Sequence, residues 1–167
     1  MMKRGFTLIE TFVAISILLI SLAGPLSIAV KALQSAYYAR DEVIASYLAQ
    51  EGIEYVRAMR DQNYLTGNSD WLAGLDDPSN NCVDADCTVD FPYFTHQSCG
   101  GDCAPLLIDQ NGLYTQKSGD PSIYTRVLRI KSVPNAPNEI DVQVTVSWQA
   151  GTIPRHFIID ERVFNWL

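Results

Sequence analysis

Histidine is nearly absent from this chain of 167 residues: His96 and His156 are the only two. There is no Gly-x-Ser-x-Gly, no His-Glu-x-x-His and no glycine-rich phosphate loop. The usual routes to nucleophilic, zinc-dependent and phosphoryl-transfer catalysis therefore have no residues to run on. Neither an enzyme nor a cofactor is expected, with His96 read as a solvated loop residue and His156 as a half-exposed sheet residue. Cations are also short, with 12 Lys and Arg against 19 Asp and Glu and a formal charge of −7. Such a surface repels phosphates, so direct nucleic-acid binding is not expected. Cysteine is missing everywhere except between Cys82 and Cys103, and no charge at all occurs from Thr11 to Val30.

That uncharged stretch is the most informative part of what is present. A helix of 20 residues is about 30 Å long, the thickness of a bilayer's hydrocarbon core. Lys3 and Arg4 precede it, which favours a cytoplasmic N-terminus and an exported body. No small-residue signal-peptidase site follows the run. Two features disturb a plain anchor. Glu10 places a carboxylate among the first apolar residues, and Gly24-Pro25 predicts a helix weak point, a kink or local melting. The weak point has two readings: a kink that membrane helices tolerate, or a segment that unwinds on assembly.

Beyond Ala29 the pattern becomes amphipathic. Val30, Leu33, Tyr37, Ile44, Leu48, Tyr55 and Met59 form one apolar stripe, so residues 6–60 read as a single helix. Its parts are a membrane-embedded segment, 6–30, and an amphipathic half, 31–60. Gly52 costs about 1 kcal/mol relative to alanine inside a helix, which predicts a close approach of another element. Residues 61–122 carry loop chemistry, with short strands expected at Thr88–Phe91 and Leu106–Asp109 and a tight turn at Asp109–Gly112. From 122 to 167 three strands are expected. In the middle one, Ile140, Val142, Val144, Val146 and Trp148 alternate with Asp141, Gln143, Thr145 and Ser147, the mark of an antiparallel sheet with one covered face. The predicted class is α+β, a long N-terminal helix packed on a C-terminal antiparallel sheet within a globular region 61–167.

The four cysteines lie in a loop-rich stretch, 76–105. Their pattern, Cys82-x4-Cys87-x11-Cys99-x3-Cys103, lacks the paired C-x2-C knuckles of structural zinc. Two disulfides are expected instead, with all three pairings open, each typically worth about 2–4 kcal/mol. Asp76, Asp77, Asp84 and Asp86, with Asn80, Asn81 and Asp90 nearby, are hard oxygen ligands and form a weak calcium candidate. They do not follow the EF-hand spacing, and Asp/Asn-rich turns are commonly just solvated.

Lys3-Arg4-Gly5-Phe6-Thr7-Leu8-Ile9-Glu10 resembles the processing signal of type IV prepilins and type II secretion pseudopilins. Tyr47–Arg57 and the ending Val146-Ser-Trp148…Asn165-Trp166 are similar, more loosely, to minor pilin-like proteins of that group. The resemblance implies that residues 1–5 are a leader. A membrane prepilin peptidase would cut between Gly5 and Phe6 and N-methylate Phe6, giving N-methylphenylalanine. Glu10 would pair with the Phe6 amine of a neighbouring subunit. The implied partners are the peptidase, other pilin subunits in a homo- or hetero-filament, and an assembly platform in the cytoplasmic (inner) membrane. The implied location is a single-pass segment in that membrane, then an extracellular or periplasmic filament. Two alternatives stand beside a pilus subunit: a pseudopilin of a type II secretion or DNA-uptake system, and a single-pass anchored protein with a ligand-binding domain.

Overall fold

The structure is a computed structural model, and it describes residues 7–165. Helix α1 covers Leu8–Leu65, 58 residues. It is followed by β1 (Asp86–Asp90), β2 (Thr95–Ser98), β3 (Leu107–Ile108), β4 (Tyr114–Thr115), β5 (Asp120–Pro121), β6 (Thr125–Ser132), β7 (Glu139–Ala150) and β8 (Ile153–Phe164). The chain divides into two units, Met1–Asp41 and Glu42–Leu167.

In the first unit the helical run continues without a break through Gly24-Pro25, so the melting expected there is not present. Proline removes one backbone donor, but the turns around it keep theirs. The Ser27 hydroxyl adds a bond to the Gly24 carbonyl at 2.9 Å.

In the second unit, five antiparallel strands lie in the order β2-β1-β6-β7-β8, and a small sheet has the order β4-β3-β5. The last three strands form a meander. β6 pairs with β7 from Thr125–Ser147 to Ser132–Ile140, and β7 with β8 from Glu139–Phe164 to Ala150–Ile153. The alternation on β7 reads through to burial: Ile140, Val142, Val144, Val146 and Trp148 are all buried. Burying each such side chain contributes about 1.5–3 kcal/mol, which makes this strand the spine of the core. The covered sheet also takes β1 and β2 from the cysteine-rich stretch, so it begins well before residue 122. β1 starts two residues earlier than expected, and β2 and β5 were not expected at all.

The helical stripe holds in its second half, with Leu48 and Tyr55 buried and Ile44 and Met59 half-buried, and fails in its first. Val30, Leu33 and Tyr37 are exposed, while the buried positions in the second unit are Ala45, Leu48, Ala49, Gly52, Ile53, Tyr55, Val56 and Asn63. The helix also runs five residues past 60, closed by bonds from Thr66 and Gly67 amides to Gln62 and Tyr64 carbonyls. Bulky residues suggested the stripe, but small ones set the contact, because a helix approaches a sheet most closely over Ala and Gly. A Cβ on Gly52 would lie 3.0 and 3.1 Å from the two methyls of Val144. The expected close approach is this contact. Arg57 then joins Glu54 of its own helix and Glu161 of β8, and Arg60 donates to the Phe164 carbonyl.

Gly52→Leu is expected to destabilise the second unit by about 1–3 kcal/mol through overpacking against Val144. Urea denaturation of the full chain in detergent checks this, and unchanged stability would contradict the contact.

Candidate functional site

Two places in the chain concentrate chemistry: the apolar helix of the first unit, and the disulfide-bearing hairpin of the second.

The N-terminal part of α1 is long and apolar enough to cross a membrane, with a mean hydropathy of 2.4 over its best window and none of that window buried. Leu8, Ile9, Phe12, Ile20 and Leu26 are each at least two-thirds exposed. Its hydroxyls are satisfied internally: Thr11, Ser16, Ser21 and Ser27 donate to carbonyls three or four residues back at 2.8–2.9 Å. In hydrocarbon, where no water is available, this is the arrangement that keeps a polar side chain inexpensive. Glu10 cannot be satisfied in that way. It is exposed, and among the described residues it has no ion-pair partner. Gly5 and Phe6, the expected cleavage and methylation positions, lie outside the described residues.

In the second unit the cysteines pair locally, Cys82 with Cys87 and Cys99 with Cys103, with Cα separations of 5.3 and 4.9 Å. One bridge closes just as β1 begins and the other just after β2 ends, so the pair brackets the β1–β2 hairpin. The four calcium candidates do not converge. Asp77 accepts from the Ser79 amide and hydroxyl at 2.8 and 2.6 Å, which lowers its pKa. Asp86 pairs with Arg129 at 2.7 Å. Asp84 occupies a left-handed turn position at φ 56°, and Asp76 is exposed. Among the described residues no three His, Cys, Asp or Glu side chains are grouped to hold a metal.

His96 is half-buried and bonded at both ring nitrogens, where a freely solvated loop residue was expected. Its Nδ1 lies 2.8 Å from the Tyr55 hydroxyl and its Nε2 2.9 Å from the Gly74 carbonyl. The neutral ring satisfies both: Nε2–H donates to the carbonyl, and Nδ1 accepts from the phenol. The chain Tyr55–His96–Gly74 thus fastens α1, β2 and the loop before the first cysteine. Burial pushes the Tyr55 phenol up to about 12, and the negative charge of Asp90 acts in the same direction.

Sequence reasoning also missed Arg126. It falls in phase with Leu128 and Ile130 on β6, and its side chain is fully buried. Nη1 donates to the Leu48 carbonyl at 3.0 Å and lies 3.2 Å from Glu51, while Nη2 donates to the Val89 carbonyl at 2.6 Å. Burial lowers its pKa, and Glu51 opposes that shift. The signal was available, since a cation in phase with an apolar set requires a buried partner.

The Tyr55 shift has a direction in pH. Its folded pKa exceeds the unfolded value near 10, so its stabilising contribution is whole below about pH 10 and is lost as pH rises toward 12. The full chain is therefore expected to lose on the order of 2 kcal/mol more than Tyr55→Phe between pH 9.5 and 12, read by denaturant titration. Parallel curves would contradict it. No protein-family model, curated protein or solved structure matches this chain.

Proposed function

We propose that this chain is a structural subunit of a membrane-assembled filament, of the minor type IV pilin kind. Its leader would be removed between Gly5 and Phe6 by a prepilin peptidase, Phe6 would be N-methylated, and α1 would form the filament core. The observation that carries this reading is an exposed, bilayer-length apolar helix whose one charge among Leu8–Val30 is Glu10, four residues after Phe6. A lone carboxylate at the centre of a membrane helix costs about 2.5–3.5 kcal/mol, and Glu10, near the start of the run, bears that cost in a filament core where apolar helices surround it. A neighbouring subunit's N-terminal ammonium removes much of that cost and sets the stagger, because mispaired helices leave both charges bare. The satisfied hydroxyls at Thr11, Ser16, Ser21 and Ser27 agree with an apolar surrounding on all sides. A pseudopilin of a type II secretion or DNA-uptake system would use the same parts in a periplasmic filament. A plain single-pass anchor has no use for Glu10.

Two measurements test the reading. Mass spectrometry of the chain purified from a host with a prepilin peptidase is expected to find N-methylphenylalanine at position 6. An intact Met1 would favour the anchor. Glu10→Ala is expected to be cleaved normally yet fall to less than about a tenth of wild-type recovery in sheared filaments, and wild-type recovery would overturn the pairing.

A further inference from the structure

β8 ends the five-stranded sheet, and among the described residues no strand pairs with its outer side. It is long for an edge: its twelve residues pair with β7 from Ile153 to Phe164 with no bulge in the register. Antiparallel pairs alternate between those that exchange backbone bonds and those that do not. The Asn165 amide bonds to the Asn138 carbonyl at 2.9 Å, one step beyond the Glu139–Phe164 pair. Counting back from there, the even positions of β8 turn their N–H and C=O away from β7, toward the open edge. Arg60 marks that direction at one end, where it donates to the Phe164 carbonyl at 3.2 Å. His156, Ile158, Asp160 and Arg162 present their backbone groups along the rest, and all four are exposed. Pro154, at the hairpin end, adds a carbonyl but no N–H. A long, unbulged edge of this kind is a template for another strand.

We propose that β8 pairs antiparallel with β8 of a second copy of this chain, about a twofold axis through Ile158. The order of its residues selects the partner. With Ile158 facing Ile158, Arg155 stands opposite Glu161 and Phe157 opposite Ile159 on the face that α1 covers. His156 stands opposite Asp160 on the other face, and the twofold makes each of these pairs twice. Opposite charges and aromatic–branched pairs are the cross-strand contacts that stabilise a sheet. Phe157 and Ile159 are half-buried and Ile158 is 45% exposed, so the pairing also covers apolar surface. Moving the register one step either way loses the match. One shift sets Phe157 against Glu161 and His156 against Arg162, and the other sets Arg155 against Ile159. Existing bonds do not stand in the way: Arg57 reaches Oε1 of Glu161 and Gln143 reaches Oδ1 of Asp160, and each carboxylate has a second oxygen to offer. An axis normal to the sheet reverses whatever lies along it, so the two copies of helix residues 42–65 run antiparallel. The pair therefore joins chains that face each other from two membranes or two filaments, not neighbours in one. The inference goes beyond the assembly reading and does not need the leader to be cleaved.

The test uses the full chain in lipid nanodiscs loaded with one copy each. Sedimentation velocity is expected to show discs associating in pairs as their concentration rises. Opposed residues in a bonded pair stand about 5.5 Å apart at Cα, within disulfide reach, so Ile158→Cys is expected to link two chains on mild oxidation. Thr145→Cys, on the same face of the neighbouring strand, is expected not to. The Ile158 N–H points away from β7, so Ile158→Pro spares the sheet's own bonds. It is expected to raise the dissociation constant at least about tenfold at a nearly unchanged melting temperature. Arg155→Glu, which sets acid against acid at two places, is expected to weaken pairing by about as much. Discs that stay single at every concentration, or pairing left intact by both substitutions, would overturn the inference. Growth beyond pairs would overturn it too, since a twofold contact closes at two.

Discussion

The closeness of α1 to the sheet governs the second unit. At Gly52 the helix leaves no room for a side chain above Val144, and the same crossing places the Arg126 stem 3.6 Å from where a Cβ would stand. Ala45 and Ala49 extend the small-residue surface along the contact. The close approach lets Arg126 reach a helix carbonyl, a strand carbonyl and Glu51 at once. Without those acceptors a fully buried guanidinium would be among the most costly groups in the chain. The apolar face of β7 supplies five of the buried apolar side chains, and Arg126 ties the helix to the sheet through the Leu48 carbonyl and Glu51.

Around this crossing, polar ties fix the periphery. Arg57 and Arg60 fasten the helix to β8, and Asn63 donates to the carbonyls of Trp71 and Ala73 at 3.1 and 3.0 Å. Tyr55 and His96 tie it to β2. The two disulfides are local, with sequence separations of 5 and 4, so each restrains only a short loop. Their value is positional. They close the chain on either side of a hairpin at the sheet's edge, where β1 pairs with β6 over only two residues, Asp86–Arg129 and Cys87–Leu128.

The first unit follows a different logic. Across Leu8–Val30 the side chains other than Glu10 are apolar or, at Thr11, Ser16, Ser21 and Ser27, bond back to their own backbone. That separation matches the composition: a segment free of charge from Thr11 to Val30, then a body bearing nearly all the acidic residues.

Much of this was legible in the order of residues. The period-two alternation of Ile140–Trp148 determined the faces of β7, a bilayer-length uncharged run determined the exposed helix, and Gly52 announced a close approach. Asp109–Gly112 likewise announced its turn, formed by the Gly112 amide bonding to the Asp109 carbonyl at 3.0 Å. These features are local, and backbone geometry alone connects them to structure. Other features depended on which distant residues meet. The helix stripe held at Leu48 and Tyr55 but missed Ala45, Ala49 and Gly52, because bulk, rather than smallness, was taken as the sign of contact. The cysteine pairing was open among three choices until the hairpin brought each partner into reach. His96, Arg126 and Asp90 took their roles from Tyr55, Leu48 and Gln116, which lie 41, 78 and 26 residues away. Sequence alone determined the periodic elements and the charge-free segment; only the tertiary structure decided where the polar groups found their partners, because a buried donor or acceptor is satisfied by proximity in space and carries no period along the chain.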